Sequence, residues 1–176
     1  AERAEGNLET MPLGEVAARI KKERILGLLR LINRSMPLFG IEHPRIGVAA
    51  LNPHAGDDGA MGEEESREII PAVKAAASEG IHAYGPYPAD TLFIPSNRKH
   101  YDVFLAMYHD QGLIPLKSRS FLSAVNITLG LPIIRTSVAH GTAYDIAGKG
   151  QADPSSMLNA LKTAAALARR RSSSGE

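Results

Sequence analysis

The segment RIGVAALNPHAGDDGAMGEEE, from Arg45 to Glu65, carries the clearest signs of the fold class. Its first part, RIGVAAL, is a short apolar run that ends at Asn52 and Pro53, which is typical of a buried β-strand. Its last part opens the segment GEEESREIIPAVKAAASEG, in which apolar residues recur at helical spacing, at Ile69, Ile70, Val73 and Ala77. Pro71 lies inside this pattern and predicts a kink or a late helix start. A strand that passes through a turn into a helix indicates an α/β protein.

The segments on either side support the same class. An amphipathic helix is predicted upstream, roughly from Leu13 to Ser35. Four short β-like runs follow downstream, IHAYGPYP, DVFLAMY, AVNITL and PIIRTS, separated by Gly, Pro and polar residues. Helical spacing returns from about Pro154 to Arg170, and RRRSSSGE at the end is predicted to be a disordered tail. Helices before and among the strands favour an α/β or mixed sheet over an all-β sandwich.

Composition limits the partners and the chemistry. The 176 residues carry 20 basic and 19 acidic side chains, and three of the basic ones are the run Arg169, Arg170 and Arg171. We therefore expect no nucleic-acid partner. The absence of cysteine excludes disulfides and thiolate nucleophiles, so a metal ion must use His and carboxylate ligands. No apolar stretch is long enough to span a bilayer and the first residues are polar, which predicts a cytoplasmic protein without a membrane partner.

Polar residues follow three of the predicted strands. Ligands of α/β sheets bind beyond the carboxyl ends of strands, so these residues are the first candidates for a site. His54 follows the first run, Asp90 comes after the run that contains Tyr84, and His109 with Asp110 follows DVFLAMY. Neutral imidazoles and carboxylates that converge on one crevice would suit a divalent metal ion. Each residue alone fits a solvated turn or a helix cap equally well.

Further polar residues lie near the later strands. Lys117, Asn126 and Arg135 offer cations and an amide to a phosphate or a carboxylate, or simply occupy strand ends and the surface. The segment TSVAHGTAYDIAGKGQADP, from Thr136 to Pro154, is rich in glycine around His140 but is not a GxGxxG fingerprint.

The strings LNPHAGDDGAMGEEE, GPYPADTLF, AMYHDQGLIPLK and VNITLGLPIIRTSVAHGTAYDIAGKG closely resemble the C-terminal half of the 4-hydroxythreonine-4-phosphate dehydrogenase family. The resemblance runs from about Met11 to Leu167. It implies the fold of isocitrate and isopropylmalate dehydrogenases, a three-layer α/β/α arrangement with a mixed sheet, present here as one domain plus the returning C-terminal segment. It predicts a metal- and substrate-binding dimerisation domain over residues 1–138. An NAD loop and a C-terminal helix follow at 139–170, before a disordered tail at 171–176.

The same resemblance implies the roles of individual residues. It makes His54 and His109 ligands of a divalent metal ion, Zn, Mg or Co, at the interface of a homodimer. It places Asp90 and Asp110 in the active site as catalytic carboxylates. The substrate-binding residues that it implies are Lys117, Asn126 and Arg135. Similarity to the adenosine-binding loop of isopropylmalate and isocitrate dehydrogenases implies an NAD or NADP site at His140, Gly141, Thr142 and Ala143.

The implied reaction is a metal-dependent oxidation of a phosphorylated hydroxy acid by NAD or NADP, followed by decarboxylation. In the family this serves pyridoxine and pyridoxal phosphate biosynthesis, and the substrate is 4-phosphohydroxy-L-threonine. The metal polarises the hydroxyl and then the new ketone. The alternatives are a sister dehydrogenase for a phosphorylated sugar acid or an aromatic cis-diol, and a catalytically silent dimeric metal-binding fragment.

The sequence departs from the family pattern at several places. Thr10 stands where the family has another metal-ligating histidine, and Ala139 replaces an aspartate beside His140. The segment SFLSAVN, from Ser120 to Asn126, replaces GFGRGVN. Ala139 and the altered segment leave the sister activities open. Family members are roughly twice as long, and we expect the chain to be either a fragment or a reduced homologue that lacks the half that builds most of the cofactor domain.

Overall fold

The computed structural model describes residues 11–120 and 123–173, so Thr10 lies outside the described residues. The chain divides into compact units, an N-terminal unit that ends at Ile114 and a C-terminal unit that begins at Pro115. The boundary after residue 138 that the sequence suggests stays a prediction. In the C-terminal unit the last strands pair with each other and pack against the final helix.

A three-stranded parallel sheet forms the centre of the N-terminal unit. Its strands are β1 (Ile46–Ala49), β2 (Ala83–Tyr87) and β3 (Val103–Leu105). The order is β2–β1–β3, with Ile46 opposite both Ala83 and Val103. All four residues of β1 are buried, as the continuous apolar run predicts for a strand with neighbours on both sides.

Helices surround this sheet within the N-terminal unit. They are α1 (Val16–Arg19), α2 (Lys22–Ser35), α3 (Ile70–Ser78), α4 (Ala89–Leu92), α5 (Pro95–Arg98) and α6 (His109–Ser120), which continues into the C-terminal unit. Short 3₁₀ turns occupy Leu13–Glu15 and Met36–Phe39, an irregular turn occupies Pro53–Gly59, and a π-helical turn, Glu65–Ile69, precedes α3. The irregular helix start expected at Pro71 is therefore confirmed.

The predicted helix from Leu13 to Ser35 is confirmed with one interruption. Ile20 and Lys21 are extended, and this separates α1 from α2. The Lys22 backbone N–H, left without a helical partner, donates to Glu68 Oε2 at 2.7 Å. In α2 the buried stripe includes Ile25, Leu29 and Ile32, which pack toward α3. The Glu68 carboxylate thus satisfies a backbone N–H at the start of α2. The periodicity of the apolar residues does not reveal this helix start.

The C-terminal unit contains an antiparallel pair, β4 (Val125–Thr128) and β5 (Arg135–Val138), and the helix α7 (Ser155–Ser173). The strand and helix predictions are confirmed here, and the α/β class holds for the chain. The strands are divided between a parallel sheet and a separate antiparallel pair. A 3₁₀ turn, Tyr144–Ile146, lies between β5 and α7.

Helix α7 corrects the prediction of a disordered tail from residue 171, because it continues through Ser173. The hydroxyls of Ser172 and Ser173 donate to the carbonyls of Ala168 and Arg169 one turn earlier. Arg171 Nη2 donates to the Pro132 carbonyl at 2.9 Å. None of the helices in the described ranges has the length and apolar character that a membrane crossing needs.

Arg45 and Asp102 join β1 to β3 at the amino ends of these strands. The Arg45 backbone N–H and Nε donate to Asp102 Oδ2 at 2.9 and 3.0 Å, and Nη2 donates to Oδ1 at 2.9 Å. The hydrogen bonds from the Arg45 side chain and backbone lower the Asp102 pKa to about 2. Because this pKa lies below its ordinary value, the ionised carboxylate stabilises the folded chain at neutral pH.

We expect Asp102→Asn to lower the free energy of unfolding at neutral pH by about 1 kcal/mol, since the pair is partly exposed and screened. The contribution is present above the ordinary pKa of 3.8 and is lost as the pH falls through about 2. Urea unfolding at neutral and at acidic pH measures both effects. Glu63→Gln, which breaks the exposed pair with Arg67, is the matched control and should cost less. An equal loss for Asp102→Asn at both pH values would contradict the assignment.

Candidate functional site

The carboxyl edge of the parallel sheet gathers the polar turns of the N-terminal unit. His54 follows β1, Asp90 follows β2 and His109 follows β3. The strands are adjacent and parallel, so their carboxyl ends share one edge of the sheet. His54, Asp90 and His109 are all exposed. The structure therefore presents these turns together at the edge where α/β sheets bind ligands.

The turn that carries His54 has an unusual backbone. His54, Ala55, Gly56, Asp57 and Asp58 all have positive φ, between 44° and 85°. Side chains with a Cβ pay about 1–2 kcal/mol per residue in this left-handed region. Gly56 is the one buried member, and a Cβ added there would lie 2.8 Å from Glu65 Oε2. Tertiary contacts therefore impose this conformation, as is common at binding sites.

Relief of this strain should be measurable. We expect Ala55→Gly to raise the free energy of unfolding by about 1 kcal/mol, because glycine adopts the φ of 56° without a Cβ penalty. Ala60→Gly is the matched control, since Ala60 has an ordinary φ of −66° and should become slightly less stable. Urea unfolding of both variants checks the sign. A loss of stability for Ala55→Gly equal to that of the control would contradict a strained turn.

His109 is oriented by its neighbour. Its Nδ1 lies 2.7 Å from Asp110 Oδ1, and the side chains are 45% and 70% exposed. A proton on Nδ1, donated to Asp110, leaves the Nε2 lone pair free for a ligand. The pairing suits a metal ligand held by a carboxylate. It also gives Asp110 a defined contact, which the sequence alone does not provide.

One chain does not complete a metal site. Within residues 11–120 and 123–173, no group of three or more His, Asp or Glu side chains is placed to hold a metal ion. Zinc sites take about three protein ligands when catalytic and four when structural. The imidazoles of His54 and His109 are suitable donors, so their chemistry fits such an ion. The number of donors in one chain does not fit such an ion unless a second chain contributes more donors.

Asp90 lies in the first turn of α4, directly after β2. A cleft of about 230 Å³ adjoins this helix, lined by Tyr87, Pro88, Thr91, Leu92, Asn97, His100 and Tyr101. Burial and a hydrogen bond with Tyr87 raise the pKa of Tyr101 to about 12. Asp90 itself does not line this cleft.

The antiparallel pair of the C-terminal unit has distinct faces. Asn126 lies opposite Ser137, and Thr128 lies opposite Arg135. Because alternate residues share a face, these four polar side chains lie on one side of the pair. Arg135 Nη1 donates to Thr128 Oγ1 at 2.8 Å. On the other side, Thr136 Oγ1 donates to the Ala160 carbonyl of α7 at 3.0 Å. The polar face with Asn126 and Arg135 is therefore the one turned away from α7.

The remaining predicted residues occupy less regular positions. Lys117 is half-buried near the end of α6. The residues predicted to bind NAD follow β5 in an exposed loop, where His140 Nδ1 is 2.8 Å from the Gly141 carbonyl oxygen and Ala143 has a φ of 47°. Gln111 and Glu65, polar side chains that are buried beside the histidine turns, were not predicted from the sequence.

The fold and the edge of polar turns define an α/β protein of the class that binds ligands beyond the carboxyl ends of parallel strands. The family model for the pyridoxal phosphate biosynthetic protein PdxA matches residues 9–164. The chain belongs to this family.

Curated relatives and solved structures agree with that placement. The 4-hydroxythreonine-4-phosphate dehydrogenase of Desulforapulum autotrophicum is 54% identical over 156 residues, which are 88% of this chain and 46% of the relative. The crystal structure of the enzyme of the same name from Klebsiella pneumoniae matches with a TM-score of 0.81 and 42% identity, over 91% of this chain and 49% of that one. A terephthalate 1,2-cis-dihydrodiol dehydrogenase from Burkholderia xenovorans matches with a TM-score of 0.70 and 33% identity, over 89% and 50%. The chain spans about half the length of the curated relatives it matches.

Proposed function

We propose that this chain supplies the metal- and substrate-binding half of an NAD(P)-dependent dehydrogenase that oxidises 4-phosphohydroxy-L-threonine. The observation that carries the proposal is the edge of the parallel sheet, where His54, Asp90 and His109 follow adjacent strands. Relatives named 4-hydroxythreonine-4-phosphate dehydrogenase, at 51–54% identity, support the substrate class.

In this proposal His54 and His109 hold a divalent ion, with Asp110 fixing the orientation of His109. A second copy of the chain supplies the donors that one chain lacks, which makes the site a property of a homodimer. A bound divalent ion of this kind acts as a Lewis acid toward a substrate hydroxyl. Asp90 is exposed at the same edge and serves as the carboxylate that exchanges a proton with the substrate.

The substrate phosphate is assigned to the C-terminal unit. Asn126 and Arg135 share the polar face of the β4–β5 pair, and both are exposed. A guanidinium can donate to a phosphate through parallel hydrogen bonds, and an amide adds a further donor. Lys117 supplies a second positive charge. The loop at His140, Gly141, Thr142 and Ala143 is assigned to NAD or NADP, and the family resemblance is its support.

The test is reduction of NAD by 4-phosphohydroxy-L-threonine with the purified chain, with zinc or with a chelator, together with calorimetric binding of the substrate. We expect the substrate to bind only when zinc is present, as the proposed binding half of the enzyme requires. Zinc-dependent turnover in addition would show that this chain alone assembles a working site. Absence of both binding and turnover would overturn the proposal.

The likeness to the terephthalate cis-diol dehydrogenase favours a second candidate substrate. Ala139 and the altered segment from Ser120 to Asn126 are consistent with it. A cis-diol of an aromatic dicarboxylate carries carboxylates and no phosphate. Calorimetry with both compounds decides between them, and tighter binding of the cis-diol would assign the chain to the sister activity.

Arg135→Ala tests the phosphate assignment. We expect it to weaken binding of 4-phosphohydroxy-L-threonine at least about tenfold, since hydrogen bonds to charged groups contribute about 1.5–3 kcal/mol. Arg34→Ala removes another exposed guanidinium, from α2, and should leave binding unchanged. Arg135→Lys keeps the charge and should recover part of the loss. Equal affinity for the Arg34 and Arg135 variants would contradict the assignment.

A further inference from the structure

Gln111 bridges the strands that precede the histidine turns. Its side chain is 8% exposed, its Nε2 donates to the Ala50 carbonyl at 2.7 Å, and its Oε1 accepts from the Met107 N–H at 2.7 Å. Ala50 directly follows β1, and Met107 lies between β3 and His109. One buried amide therefore ties the carboxyl ends of both strands together.

Glu65 holds the next residues of the same turn. It is 2% exposed, and its Oε1 accepts from the backbone N–H groups of Leu51 and Asn52, both at 2.8 Å. Its Oε2 accepts from Asn52 Nδ2 at 2.9 Å. Consecutive backbone groups from Ala50 to Asn52 are thus bound by buried side chains. Gly56 then passes close to the same carboxylate.

Both residues give partners to backbone groups that an apolar side chain would leave unpaired, so each stabilises the segment that it binds. A helix cap at the start of α6 would need only the bond from Met107, yet Gln111 also reaches Ala50. An amide is required because it donates at one end and accepts at the other. What these bonds share is that each fixes a turn leading to His54 or His109.

We propose that Gln111 and Glu65 are positioning residues that set the separation and direction of the turns bearing His54 and His109. The inference rests on the proposed metal site, because His54 and His109 must lie at a suitable separation to bind one ion. It predicts that loss of Gln111 weakens metal binding without a change in the ligands themselves. Supporting groups around metal ligands commonly change affinity about 10–100-fold when they are replaced.

The experiment compares wild type with Gln111→Met, which keeps the volume and loses both bonds. Zinc binding is measured by calorimetry, and backbone amide exchange by NMR. We expect zinc binding to weaken at least about tenfold. Exchange at Met107 should accelerate, while the amides of Ile46 and Val48 inside β1 keep their protection. Asn97→Leu is the matched control, since it removes an amide-to-carbonyl bond to Thr91 elsewhere in the unit and should change neither readout.

Two more variants separate the bonds. Gln111→Glu retains the acceptor for the Met107 N–H and loses the donor to the Ala50 carbonyl. Protection at Met107 should therefore persist while zinc binding weakens. This variant also tests the inference if Gln111→Met fails to fold. Glu65→Gln turns a second donor toward the Asn52 amides and should accelerate exchange at Leu51 or Asn52 and weaken zinc binding.

The outcomes distinguish this inference from the proposed function. If wild type binds zinc and the Gln111 and Glu65 variants bind it equally well, the positioning role is overturned and the metal site stands. If wild type binds no zinc, the proposed metal site is overturned and the positioning role falls with it. If wild type binds zinc, unchanged protection at Met107 in Gln111→Met would overturn the positioning role, and selective loss together with weaker zinc binding would support it.

Discussion

Gly85→Ala is expected to lower the free energy of unfolding by about 3 kcal/mol or more. Gly85 lies in β2 with a φ of +129°, a conformation that L side chains rarely adopt. A Cβ at this position would lie 2.5 Å from the Val48 carbonyl oxygen of β1. The carbonyl oxygen belongs to the backbone and the Cβ is attached directly to the backbone, so no side-chain rotation can relieve the contact. The strands must separate near Ala49 and Tyr87, which are paired in the sheet.

Gly80→Ala distinguishes this clash from backbone strain. Gly80 has a φ of +78°, and a Cβ there would meet nothing within 4 Å. Its replacement should cost only about 1 kcal/mol, the penalty of the left-handed region. Urea unfolding, followed by circular dichroism, measures both variants. Equal losses for Gly80→Ala and Gly85→Ala would show that β1 and β2 do not approach as described.

His109→Ala is expected to abolish stabilisation by zinc. A ligand at 100 times its dissociation constant stabilises the native state by about 2.7 kcal/mol, and removal of an imidazole donor should eliminate that gain. The measurement is the melting temperature with zinc and with chelator. His54→Ala should behave in the same way. Because both side chains are exposed, neither variant should lose much stability in the presence of chelator.

His82→Ala is the matched control for the histidine variants. His82 is also exposed, but it precedes β2 and so lies at the amino end of the sheet. Its backbone carbonyl accepts from the Ile46 N–H, a bond that the substitution preserves. The zinc shift should remain in this variant. A shift that persists in His109→Ala, or disappears in His82→Ala, would contradict a metal site at the carboxyl edge.

Much of the fold could be predicted from local patterns. The apolar run before Asn52 gave β1, and the helical spacing of Ile69, Val73 and Ala77 gave α3. Helix α6 was not predicted, because Gly112 and Pro115 both disfavour helices. The boundary between the units falls within this same helix, so sequence spacing could not locate it.

The site residues divide in the same way. His54, Asp90 and His109 follow apolar strands, so their position at one edge could be inferred once the strands were known to be adjacent and parallel. Glu65 is one of three consecutive glutamates, yet it precedes Ile69 by four residues and falls on the stripe that becomes buried. This position on the apolar stripe could have predicted that Glu65 is buried. The sequence holds no such sign for Gln111, since its hydrogen bonds join residues that only the folded sheet brings together.

In the proposed metal site, His54 and His109 bind an ion whose other donors come from a second copy of the chain. Sedimentation velocity with zinc and with chelator, combined with zinc analysis of the sedimenting species, tests for this site. We expect a dimer that contains zinc in the wild type and in His82→Ala, and loss of bound zinc in His54→Ala and His109→Ala. A zinc-free monomer of wild type under both conditions, or equal zinc content in all four proteins, would contradict it.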